Sequence, residues 1–143
     1  MSLLGLLKAV HVLSAVVWVG GMFFAYVILR PGLSVLEPPQ RLALHGAVMK
    51  RFFLVVWHAM PLMLISGFWM IFGVYGGMAN VRWNVHLMLL LGLVMAALFL
   101  VIFFGPWRIF RAAPGPEPLA KLRNLIGVNM VLGLITTILG VLG

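Results

Sequence analysis

LLGLLKAVHVLSAVVWVGGMFFAYVIL, residues 3–29, carries one charged side chain, Lys8, and one histidine, His11. A helix needs about 20 predominantly apolar residues to cross a bilayer, so this stretch predicts a transmembrane helix, stopped by Arg30, Pro31 and Gly32. Three further runs have the same character. One spans about 52–74 and is closed by Tyr75-Gly76-Gly77; one spans about 83–104 and ends at Gly105-Pro106; the last spans about 125–143. No basic region precedes the first run and no small-residue cleavage site follows it, which predicts a retained helix rather than a signal peptide. The expected fold is an all-α integral membrane protein: a single four-transmembrane-helix bundle over residues 1–143.

Composition supports the same reading. Hydrophobic residues make up 64% and charged ones 8%, with a mean hydropathy of +1.20, whereas a soluble domain carries about a quarter charged residues. The chain has no cysteine, so disulfides, thiolate metal sites and cysteine nucleophiles are excluded. Its two carboxylates, Glu37 and Glu117, fall in the connections, leaving no acid inside the membrane for proton relay or paired acid–base chemistry. Metal ligation there falls to His, Met, Asn, Ser, Thr, Tyr and backbone.

The net charge of +8 does not point to nucleic acid, because the basic residues cluster between apolar runs. Arg30, Arg41, Lys50 and Arg51 lie between the first two runs, and Arg108, Arg111, Lys121 and Arg123 between the last two; the opposite side holds only Lys8 and Arg82. This positive-inside bias predicts cytoplasmic long loops and periplasmic termini, as in a multi-pass protein of a bacterial cytoplasmic (inner) membrane. Segment 38–51 is expected to form a short amphipathic helix on the membrane surface, and residues 112–118 a flexible turn.

Histidines are the chemistry-bearing residues. His11 lies about eight residues into the first run, about 12 Å deep at ~1.5 Å per residue, and His86 about three residues into the third, about 5 Å deep. The two runs point the same way, so helix tilt can bring both imidazoles to a common depth. Lys8 and Arg82 stand three and four residues before them, on the same helix faces and toward the same interface. Two imidazoles and two cations match the axial nitrogens and propionate partners of a b-type haem. Buried, hydrogen-bonded polar histidines are the alternative. His58 lies toward the other side of the membrane and is a further candidate ligand; His45 is expected at the surface.

Ten methionines keep copper in view, since thioethers suit Cu(I). His58, Met60 and Met63 form the compact cluster in sequence, although methionine at such positions is more often core filling. Asn129 is expected to bond between helices, and Gly127, Gly133 and Gly140 to mark a close-packing face, within the protomer or between two.

The stretches LLKAVHVLSAVVWVGGMFFAYVILRP (6–31), LEPPQRLALHGAVMKRFF (36–53), VHLMLLLGLVMAALF (85–99) and LIGVNMVLGLITTILGVLG (125–143) resemble short four-helix members of the copper resistance protein D family. That resemblance covers nearly the whole chain and implies copper uptake across the inner membrane. Lys8, His11, Ala15, Trp18 and Gly20 also resemble the first helix of HemJ-type protoporphyrinogen oxidase, which implies haem b held by the first-helix histidine and a third-helix lysine. Here His86 stands on the third run instead.

The expected function is therefore a bis-histidine b-type haem protein, suited to electron transfer with a quinone or periplasmic redox partner, and an oxidoreductase if one imidazole leaves. Copper transport or copper binding is the alternative, and an accessory subunit of a membrane complex is the second. The bilayer is the expected environment, and a homodimer is favoured because four helices barely enclose a macrocycle.

Overall fold

The computed structural model describes residues 2–142, and the described residues are helical apart from short turns. Helix α1 (Leu3–Phe23) starts at Ser2, whose Oγ accepts a hydrogen bond from the Gly5 amide at 3.0 Å, a typical N-cap. The chain then continues as a π-helical stretch over Phe24–Leu29 and short turns ending at Val35. Helix α2 (Pro38–Phe68) opens with proline in its first turn and a reciprocal cap between Glu37 and Gln40, the arrangement that satisfies orphan N-terminal amides. Its end, Trp69–Val74, is again π-helical. Gly76 and Gly77 follow with φ of 84° and 127°, values that side-chain-bearing residues avoid, and they reverse the chain into helix α3 (Trp83–Phe104). The short α4 (Pro106–Ala112) and the long α5 (Pro116–Leu142) complete the fold.

Among the described residues, four helices are long and apolar enough to cross a membrane: Leu3–Val35, Pro38–Val74, Trp83–Ala112 and Pro116–Leu142. The second, at 37 residues, is about 55 Å long at ~1.5 Å per residue, well beyond the ~30 Å of hydrocarbon. The expected surface helix at 38–51 is thus the N-terminal part of α2, and α5 begins at Pro116 rather than near 125. The physical reason is a continuous inward stripe. Leu42, His45, Met49, Phe53 and Val56 recur at three- and four-residue spacing, all buried or half-buried, so packing carries the helix straight through its polar start.

Helix α1 packs chiefly on α2, and α3 on α5; α1 also lies against α5, and α4 against α3 and α5. The first and third spans therefore stand at opposite corners of the bundle. Aromatic rings join α2 to α3 and α4: Phe53 meets Trp107 at 5.1 Å and Phe99 at 5.9 Å between centroids, and Trp57 meets Phe103 edge-on at 5.3 Å. Small residues allow the first span and α5 to close. A Cβ on Gly127 would sit 2.8 Å from the Tyr26 ring, and one on Gly133 would sit 2.8 Å from Val19. The expected glycine face therefore packs within the protomer. Asn129 donates from Nδ2 to the Met95 carbonyl at 3.2 Å, bridging α5 to α3 as expected. Leu13, Val16, Ile65, Leu90 and Ile138 are among many large apolar side chains exposed on the outside, where lipid is their solvent.

Candidate metal centre

His11 is half-buried on α1, with its ring against α2. Its Nδ1 lies 2.9 Å from the Met63 carbonyl and 3.2 Å from Ser66 Oγ, while the buried Ser66 hydroxyl donates to the same carbonyl at 3.0 Å. A carbonyl can only accept, so Nδ1 carries the proton and donates to it. That assignment leaves Nε2 as a bare acceptor, the state of an imidazole ready to ligate a metal. Gly67 makes room for the ring: a Cβ there would come 3.2 Å from His11 Cε1.

The donors that gather inside the bundle are thioethers. Met22, Met49, Met60, Met63, Met95 and Met130 are all buried within one core cluster. The Met63 methyl reaches toward Gly92 of α3, and Met95 Sδ accepts from Thr136 Oγ1 at 3.8 Å. The Met63 residue thus lies against His11 through its carbonyl and extends its side chain across the bundle. Among the described residues, no group of three or more His, Asp or Glu side chains forms a metal-holding cluster.

The remaining histidines separate. His86 is exposed on α3, and Lys8 and Arg82 are exposed as well. Helices α1 and α3 face each other across the bundle, where Trp18 meets Phe99 edge-on at 6.3 Å between centroids. His58 is exposed and donates from Nδ1 to the Leu54 carbonyl of its own helix at 2.8 Å. Met60 and Met63 are buried, so the apparent His58–Met60–Met63 cluster is split between the outer and inner faces of α2. Successive residues turn by ~100°, which sets position 58 away from 60 and 63.

His45 corrects the surface expectation. It is 5% exposed, buried where the start of α2 meets the start of α5, because it occupies the inward stripe. Ser66 and Gly67 were not singled out from sequence; the visible signal was a small polar pair interrupting an apolar run.

Comparison with known proteins adds one match. The family model described as Copper resistance protein D matches residues 46–142, about two thirds of the chain, taking in His58 and His86 but not His11 or His45. No curated protein matches the chain, and no solved structure does.

Proposed function

From the premise that this chain belongs to the copper resistance protein D family, we propose that it handles copper inside the membrane as Cu(I). The observation that carries this reading is that Met63, one of several methionines in the buried core, accepts the His11 Nδ1 hydrogen bond through its carbonyl. Cu(I) is soft and favours thioether and imidazole donors over carboxylate or water. His11 Nε2 supplies the nitrogen in this proposal, and Met63, with the core methionines nearest it, supplies sulfur. The hydrogen bond to the Met63 carbonyl fixes the ring's orientation and raises its basicity. Neutral ligands suit an interior that lacks any acid to offset a fixed charge.

The positive-inside bias orients the bundle with both termini periplasmic and the basic end cytoplasmic, in a bacterial inner membrane. Copper then enters the bundle from the side nearer His11.

A haem b reading is the second proposal, favoured by the same free Nε2 on His11. Ligation by both His11 and His86 would join helices at opposite corners of one copy. The exposed position of His86 makes an interface between two copies the natural place for such a haem, consistent with the homodimer reading.

One experiment separates the two. The detergent-purified chain is scanned in visible light, oxidised and dithionite-reduced, then titrated with Cu(I) against a colorimetric chelator. Copper handling predicts a colourless protein with stoichiometric Cu(I) binding that His11→Ala weakens. A Soret band, with split α and β bands on reduction, contradicts copper and supports haem.

A further inference from the structure

At the basic end, the tail of the first span and the starts of α2 and α5 enclose an open cavity of about 610 Å³. Arg30, Arg41, His45 and Arg123 line it, with Tyr26 between. Three guanidiniums converge here without a carboxylate in the lining. Glu37 is occupied in the cap of α2, and Glu117 sits in the first turn of α5 without facing the cavity. Arg30 stacks its guanidinium 5.3 Å from the Tyr26 ring centre. Arg41 is held in place, with Nε donating to the Leu36 carbonyl at 2.7 Å and Nη2 to the Ser34 carbonyl at 3.3 Å.

Two buried groups in this lining have no partner among the described residues: Nδ1 of His45 and Nε of Arg123. Both residues also line a narrow inner pocket of about 20 Å³, closed by Ala25, Met49 and Ile126. That is space for one water or one ligand oxygen. Buried polar groups are ordinarily bonded, and an exception calls for a ligand or water. Converging like charges also repel unless a counter-ion joins them. An anion with several acceptor oxygens answers both demands, and the planar guanidinium fork suits phosphate best. Helices α2 and α5 add their positive N-terminal ends, since Pro38 and Pro116 lie in the same lining.

We propose that this cleft binds a phosphate group, seated between Arg30, Arg41 and Arg123 with His45 beneath it. The cavity is far larger than one phosphate, has leucine walls (Leu33, Leu42 and Leu119) and is open on one side. These features fit the headgroup and upper chains of an anionic phospholipid. The proposal stands apart from the copper reading and needs no metal.

The test measures the melting temperature of the full chain in non-ionic detergent during titration with phosphatidylglycerol, inorganic phosphate or zwitterionic phosphatidylcholine. Phosphatidylglycerol is expected to raise it saturably and phosphatidylcholine to leave it unchanged. Arg123→Gln should weaken the apparent affinity at least tenfold while leaving the ligand-free melting temperature equal or higher, because a like-charge repulsion is relieved. Arg30→Gln gives the same readout should Arg123→Gln fail to fold. Arg108→Gln removes an equal charge outside the cleft and should keep wild-type affinity. A response to inorganic phosphate alone assigns the site to the free anion. No response to either phosphate source overturns the proposal, and so does an equal loss in Arg108→Gln.

Discussion

Two imidazoles sit in this bundle under opposite conditions, and the contrast separates its chemistry. His11 is half-buried among apolar helices, yet its Nδ1 is satisfied by the Met63 carbonyl and Ser66. His45 is more deeply buried, yet its Nδ1 has no partner among the described residues and its neighbours include Arg30 and Arg123. The first imidazole is tied through the Met63 carbonyl to an apolar core that carries buried methionines; the second stands among guanidiniums. In the copper reading, donor softness selects the ligand at His11. At His45 the converging charges select anions before any donor preference acts.

The sharpest way to break this comparison is to remove each imidazole and read copper. His11→Ala should lower Cu(I) affinity about 100-fold, equivalent to ~2.7 kcal/mol, in a chelator competition, while His45→Ala and His58→Ala change it less than threefold. Equal losses at His11 and His45 would erase the distinction between the regions.

Packing beside the second region is expected to be nearly as sensitive. Gly127→Ala places a Cβ against the Tyr26 ring, where the tail of the first span meets α5, and should cost ~1–3 kcal/mol through overpacking, read as a lower unfolding midpoint in detergent. Gly20→Ala meets nothing within 4 Å and serves as the silent control.

Met63→Leu separates packing from ligation. The swap roughly conserves volume and should cost less than about 1.5 kcal/mol in stability, while Cu(I) affinity falls about tenfold, or ~1.4 kcal/mol. A stable variant with unchanged affinity would leave the methionines as core filling. Smallest of all, Asn129→Leu removes the bond to the Met95 carbonyl and should cost about 0.6 kcal/mol, the typical worth of an interhelical hydrogen bond in a membrane.

The spans, the glycine contacts and the role of Asn129 were legible in the sequence because hydropathy and small-residue spacing are local signals. What escaped depended on faces and long-range pairing. His45 read as surface because Arg41, Lys50 and Arg51 surround it in sequence, although its three- and four-residue spacing to Leu42 and Met49 set it inward. His58 and Met63 read as one cluster because they are close in sequence, and the helix turns them apart. The anchor of His11 on Met63 and Ser66 spans more than fifty residues, beyond any local pattern. The cleft likewise joins Arg30, Arg41 and Arg123, which come together only when three chain segments pack.

Copper-edge X-ray absorption of the Cu(I)-loaded chain in detergent tests the account most directly. The account predicts sulfur scattering from thioether alongside a single imidazole, with the sulfur component reduced in Met63→Leu and the imidazole component lost in His11→Ala. Copper coordinated by nitrogen and oxygen alone, or a spectrum untouched by both substitutions, would contradict it.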